Sequence, residues 1–304
     1  MGDFDLIVGP LLIGLFFNTY LYGLVTYQFL VYKTTKFNDP TWIKTVVALL
    51  FVCDTLHSGV AVYAGWEMCV TNFNHPELLI FVGWTIPFTA CATAVAALLT
   101  QGFLAHRVLL LTKSKVITVI ILVLSVVGFV FGMYAGVRCG IIDDSTKFAP
   151  LKPYVGCWLG FQTAADISIT AVLSYSLSRS RTGFRKTDTL INRLIRGAIQ
   201  TGLFASIFAL ADLFSFTLAG TTTLYAMFAY PIGRIYTNTL LDTLNARIEL
   251  KRGTAGTIDA ESGNTYSLQN HSRTLAPDAS THSIQVQKET VTDGASLDAK
   301  YPIQ

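Results

Sequence analysis

Seven long apolar stretches joined by short loops fill the first 246 residues, and they limit this chain to very few folds. About 20 predominantly apolar residues, rising 1.5 Å each along a helix, cross the ~30 Å hydrocarbon core of a bilayer. The stretches fall at residues 6–32, 45–66, 78–104, 116–137, 154–177, 194–218 and 222–246. Lipid offers the backbone no hydrogen-bond partner, so stretches of this length predict helices. The expected fold is all-α: a polytopic seven-transmembrane helix bundle over residues 1–250.

Charge gives the bundle a direction. Lys33, Lys36 and Lys44 follow the first stretch, and Arg107, Lys113 and Lys115 follow the third. Arg179, Arg181, Arg185, Lys186, Arg193 and Arg196 follow the fifth, while Arg247, Lys251 and Arg252 end the seventh. The other side holds only Arg138, Lys147 and Lys152, so the asymmetry is fifteen to three. The positive-inside rule then predicts the N-terminus out and the C-terminus in the cytoplasm. The expected location is a multi-pass position in the plasma membrane, in preference to an endomembrane. No basic leader precedes the first stretch, and Leu6 stands where N-myristoylation would want Ser or Thr.

Only 13% of the residues are charged, against ~25% in a typical soluble domain. Residues 251–304 differ from the rest: they are polar, rich in Ser, Thr, Asp and Gly, and show no periodic apolar face. Such a segment buries too little surface to offset its ordering entropy, which predicts a disordered cytoplasmic tail. The net charge of +3 suits anionic inner-leaflet lipid and gives no reason to expect nucleic acid. The expected partners are the lipid bilayer and a cytoplasmic protein reached through loop 178–193 and the tail.

Cys69, Cys139 and Cys157 fall at or near outer ends of stretches, where an oxidising face would allow one disulfide in any of three pairings. Trp66, Trp84 and Trp158 mark the outer interface and Trp42 the inner one. Pro87 and Pro231 fall inside stretches, where a helix loses a hydrogen bond. The third stretch carries a run of Ala and Thr from Thr89 to Ala97, as a central helix would. Gly128, Gly132, Gly136 and Gly140 recur every fourth residue, a stripe that serves either a homodimer or close packing within one bundle.

Ionisable residues at membrane depth are costly, about 2.5–3.5 kcal/mol each on insertion scales, and usually pair or face water. Asp54, Asp166 and Arg234 lie near the middles of their stretches and Asp212 lies in the outer third of the sixth. Arg234 sits about 18 Å into its helix, level with Asp166 and close to the level of Asp54, so either carboxylate can meet it. Tyr230, Arg234, Asn238 and Asp242 follow at four-residue spacing and predict one inward polar stripe. His57, three residues after Asp54, can act as a proton relay or simply as a hydrogen-bonded neighbour. No nucleophile or metal-ligand set accompanies these residues, so no catalytic site, metal or cofactor is expected and the chain reads as no enzyme. The seventh stretch has no lysine for a retinal Schiff base and no Asn-Pro-x-x-Tyr turn.

Several strings together resemble a known family. They are Gly9-Pro10-Leu11-Leu12-Ile13-Gly14, Asp54-Thr55-Leu56-His57-Ser58, Asp166-Ile167 and Ser180-Arg181-Thr182-Gly183-Phe184. To these are added Asn192-Arg193-Leu194-Ile195 and Leu240-Leu241-Asp242-Thr243-Leu244-Asn245-Ala246-Arg247. Over about residues 5–250 the chain resembles multipass membrane proteins of mushroom-forming fungi whose C-terminal half is a domain of unknown function (number 6534). The resemblance implies membrane topology and carries no reaction. The expected function is therefore a receptor-like or sensory seven-helix protein, with a small-molecule transporter or channel built on the mid-membrane Asp and Arg residues as the alternative.

The orientation has a direct test. Asn270-His271-Ser272 is the one Asn-x-Ser/Thr sequon, and it lies in the expected cytoplasmic tail. It should carry no glycan, and an endoglycosidase-sensitive mass shift abolished by Asn270→Gln would reverse the topology.

Overall fold

The computed structural model describes residues 5–35, 37–73, 83–142, 147–179, 185–218 and 222–248. These belong to one compact unit, Met1–Ala255; the tail expected at 251–304 and residues 180–184 of the basic loop lie outside them. Seven long helices make up the described residues: α1 (Asp5–Thr34), α2 (Thr41–Trp66), α3 (Thr85–Thr112), α4 (Lys115–Ile142), α5 (Lys152–Arg179), α6 (Arg185–Leu218) and α7 (Leu224–Asn245). A π-helical turn, Glu67–Thr71, extends α2, and a 3-10 turn, Ala149–Leu151, leads into α5.

Five of these helices are long and apolar enough to cross a membrane: α1, α2, α3, α4 and the Ile195–Leu218 part of α6. The protein is a helical membrane protein. In α5 and α7, polar residues such as Gln162, Asp166, Arg234 and Asn238 dilute the apolar composition, and the fold shows where they go. Every residue from Tyr230 to Thr237 is buried, so the centre of α7 is surrounded by other helices on all sides. Polar groups there meet protein and not lipid.

Packing follows side-chain size. Thr118, Ser125, Gly128, Gly132, Ala135 and Gly136 of α4 point inward, while Val116, Val119, Ile120, Val123, Val126 and Val130 are exposed. A water-soluble helix reverses this pattern; small residues inside and branched apolar ones outside are what a lipid-facing helix requires. α3 packs against α2, α4, α5 and α7, and its Thr89, Thr93, Ala94, Ala96 and Ala97 are buried among them. α1 closes on α7, where a Cβ on Gly14 would stand 2.7 Å from the Ala226 carbonyl oxygen. The two backbones touch there because neither a side chain nor a void intervenes.

The glycine stripe of α4 serves close packing within the bundle, with Gly128, Gly132 and Gly136 buried against neighbouring helices and Gly140 exposed. A Cβ on Gly128 would meet the Gln162 nitrogen at 3.4 Å, and one on Gly132 would lie 2.7 Å from Trp158 Nε1. On Gly136 and Gly140 it would press on Cys91 at 2.7 Å and Pro87 at 3.1 Å. Trp158 is accordingly buried at 7% exposure and is no interfacial anchor, unlike the exposed Trp42, Trp66 and Trp84. Pro87 stands in the first turn of α3 because that helix starts at Thr85 and not near residue 78; a missing N–H costs nothing there. α7 continues through Pro231.

No disulfide joins any of the five cysteines, against the one expected among Cys69, Cys139 and Cys157. The helix arrangement explains it. α3 stands between Cys69 at the end of α2 and the helix carrying Cys139. Gly132 lies against Trp158, so Cys157 is level with that part of α4, about two turns from Cys139.

At the end where α1 stops and α7 ends, the connection to α2 is pinned. Arg247 donates to both Asp39 oxygens at 2.6 and 2.8 Å, and the Tyr32 hydroxyl donates to Asp39 at 2.9 Å. The Arg247 guanidinium lies 4.4 Å from the Phe37 ring centre and holds the Asp39 carboxyl below the usual carboxylate range. This end carries Lys33, Lys44, Arg107, Lys113, Lys115, Arg179, Arg196 and Arg247, and is called the basic face below.

The α4–α5 seam predicts a contrast between two glycines. Gly132→Leu should cost about 1–3 kcal/mol by overpacking against Trp158. Gly160→Leu, where a Cβ meets nothing within 4 Å, should leave the melting temperature in detergent unchanged. Equal losses at the two positions would contradict the packing.

Candidate functional site

Three helices deliver polar side chains to the same depth. Asn18 is near the middle of α1, Asp54 and His57 are in the middle of α2, and Arg234 is at the centre of α7. All four are at most 1% exposed. The Arg234 guanidinium is bonded to an Asp54 carboxylate oxygen through Nη1 and to His57 Nδ1 through Nη2, while its Nε donates to Asn18 Oδ1 at 3.1 Å. A guanidinium only donates, so His57 Nδ1 accepts and the ring is the neutral Nε2–H tautomer. His57 Nε2 and Asn18 Nδ2 are buried donors without a protein partner. Asp54 and His57 thus serve the same cation.

The polar stripe of α7 continues along α1. Asn238 Nδ2 donates to the Leu21 carbonyl at 3.3 Å and to the Arg234 carbonyl at 3.0 Å, and Asn245 Nδ2 donates to the Gln28 carbonyl at 2.9 Å. These pairs, with Arg234 and Asn18, keep a near-constant separation of 216 or 217 residues, so α1 and α7 run parallel and in register. Asp242 departs from the expected inward stripe. It is exposed, and its Oδ2 would lie 3.4 Å from a Cβ on Gly197 of α6.

Asp166 belongs to a second network. Its Oδ1 accepts from Gln101 Nε2 at 2.8 Å and its Oδ2 accepts from the Tyr236 hydroxyl at 2.5 Å. Gln162 Nε2 donates to the Tyr236 oxygen at 2.8 Å, and Gln101 Nε2 also reaches the Gln162 carbonyl at 3.3 Å. Tyr236 follows Arg234 by two residues, about 200° around the helix, so α7 turns its cation toward α1 and α2 and its phenol toward α3 and α5. Depth alone left Asp54 and Asp166 as equal partners for Arg234; direction assigns them to different sides.

Two cavities flank this second network. One, of about 80 Å³, is bordered by Thr89 and Thr93 of α3, Trp158 and Leu159 of α5, Asp212 of α6 and Ile232 of α7. The other, of about 30 Å³, is bordered by Arg107, Asp166, Leu177, Tyr236 and Thr243 and lies toward the basic face. Gln162 on α5 and Gln101 on α3 fall between the two cavities, and Asp166 and Tyr236 form the wall of the smaller cavity that faces the larger one. Gln101, Gln162, Asp166 and Tyr236 therefore form a polar plug between the larger cavity and the smaller one.

Among the described residues no cluster of His, Cys, Asp or Glu is arranged to hold a metal ion. Asn18, Gln101, Gln162 and Tyr236 are site residues that a search for charge passed over. Amides within apolar stretches were the signal that would have found the first three.

Residues 162–249 match the model of a family described as a family of unknown function (DUF6534). The matched segment runs from Gln162 in α5 to the end of α7, so it includes Asp166, Asp212, Arg234 and Tyr236 and excludes Asn18, Asp54 and His57. No curated protein and no solved structure matches the chain.

The assignment of partners can be tested by rescue. Arg234→Met leaves a buried carboxylate unpaired and should cost about 3–5 kcal/mol of stability. Adding Asp54→Asn should recover part of that loss, and adding Asp166→Asn should not. Rescue by Asp166→Asn alone would show that Arg234 pairs across the bundle.

Proposed function

We propose that the chain is a receptor-like seven-span membrane protein, N-terminus out and basic face in the cytoplasm, in which a ligand in the larger cavity acts on the basic face through the plug. The observation that carries this reading is the stacking of cavity, plug and smaller cavity along α5 and α7. Ile232 borders the larger cavity and Tyr236, one turn further, belongs to the plug. A ligand that displaced α7 would therefore disturb Asp166, and the displacement would be felt at Thr243 and Arg247 beyond it. To shift the protein between states, such a ligand must bind one state more tightly than the other. The Arg234–Asp54–His57–Asn18 cluster serves as the fixed side, holding α7 to α1 and α2. The fifteen-to-three charge asymmetry supports the orientation. The basic loop and the tail supply the surface for a cytoplasmic partner.

Two cavities in line also favour a second reading, in which Asp166 carries a proton or small solute between them. The readings part on flux and on partners. In proteoliposomes, an imposed pH gradient read by an entrapped dye should decay as slowly as in protein-free vesicles. In cells, proximity labelling from the C-terminus should identify cytoplasmic neighbours whose labelling changes with Tyr236→Phe, which cuts the plug without altering the larger cavity. Gradient decay that is faster than in empty vesicles and is abolished by Asp166→Asn would establish transport and displace the receptor reading.

A further inference from the structure

We infer that the larger cavity is a binding site for a small organic ammonium ion, with Asp212 as its counter-ion; this rests on the reading of that cavity as the ligand site. Asp212 is 95% removed from solvent and borders the cavity, yet no described residue hydrogen-bonds or ion-pairs with it. Among the described residues of the cavity wall there is no Lys, Arg or His. A lone carboxylate in such surroundings is costly to ionise, and the structure treats its other buried carboxylates differently: Asp54 has a guanidinium, and Asp166 has two neutral donors. Asp212 alone is left for something that is not part of the fold.

The rest of the wall defines the ligand. Phe148, Trp158, Phe216 and Tyr225 border the cavity, and aromatic faces attract cations when water is excluded. Thr93 Oγ1, also on the wall, is buried without a hydrogen-bond partner and can accept from an ammonium N–H. An anion would meet a carboxylate and ring faces of the same sign, and a neutral apolar molecule would leave Asp212 and Thr93 unsatisfied. A bare metal ion would find one carboxylate and few oxygens, whereas calcium takes six to eight oxygen ligands. The volume of about 80 Å³ has room for roughly five to eight water-sized groups, which sets the size of the ligand. A primary or secondary alkylammonium of that size fills the space, placing its charge at Asp212 and its chain against Ile232 and Leu159.

The test uses the full chain in lipid nanodiscs, with n-pentylammonium as the probe and 1-pentanol as its neutral counterpart of equal size. Pentylammonium should raise the melting temperature saturably, by about 5 °C at high occupancy. Pentanol, and sodium at matched ionic strength, should not. Asp212→Asn should keep the fold and weaken the ammonium effect at least ~10-fold. Val155→Phe, which fills the cavity and keeps the carboxylate, should abolish the effect and decides the matter should Asp212→Asn fail to fold. Equal stabilisation by pentanol, stabilisation by sodium alone, or an ammonium effect that survives Val155→Phe would overturn the assignment. Binding without any change in labelling at the basic face would instead keep the ammonium site and remove the receptor reading.

Discussion

A guanidinium buried at the centre of α7 constrains the whole bundle. Arg234 cannot be buried among other helices without a counter-charge and acceptors for its remaining N–H groups. Asp54, His57 and Asn18 supply them from two other helices, so meeting the needs of one side chain fixes three helices in depth and rotation. Hydrophobic burial cannot do this, because lipid is as apolar as leucine and exerts no preference for one rotation over another. The parallel register of α1 and α7, held along its length by Asn238 and Asn245, extends the same device toward the basic face.

Away from that cluster, cohesion comes from close approach. Gly14 lets α1 touch α7, and Gly128, Gly132 and Gly136 let α4 seat against α5 and α3. The same economy of side chain makes room for the larger cavity, whose wall includes Ala90, Ala135 and Ala229 as well as aromatic rings. One helix surface thus does two jobs: Gly132 seats α4 tightly against Trp158, and Ala135, less than a turn away, contributes to the cavity wall. Thr89 and Thr93 satisfy both demands, being small enough for α3 to stay central and polar enough to mark one wall of the cavity.

The sequence predicted the helices well because apolar length is a one-dimensional property. It placed five of the seven helices within about five residues; it put the start of α3 at 78, where the helix begins at Thr85, and the start of α6 at 194, where the helix begins at Arg185. α5 and α7 show the converse: their polar residues weaken the membrane signal yet are buried by the bundle. At the site, depth was legible and direction was not. Counting residues from a helix end gives height, so Asp54 and Asp166 looked equivalent; only the positions of α2 and α5 around α7 separate them. Ranking by charge also hid Asn18, Gln101 and Gln162, whose amides complete both networks. The glycine stripe was ambiguous for a related reason, since spacing shows that a face is smooth and not which helix covers it. The cavity at Asp212 had no sequence signature, because its wall is gathered from five helices and the 3-10 turn before α5.

The pairing of Arg234 with Asp54 joins residues 180 positions apart, and that separation has a meaning in time. A ribosome adds about 5–20 residues per second, so Asp54 and His57 are made roughly 10–40 seconds before the cation that neutralises them. Through that interval the first two helices carry a carboxylate and an imidazole that nothing yet synthesised can match. The nascent chain must keep them beside water, or hold the carboxylate in its protonated form, until α7 arrives. α7 is therefore the helix that lets α1 and α2 settle into their final positions, and the cation made late in the bundle completes a site begun early in it.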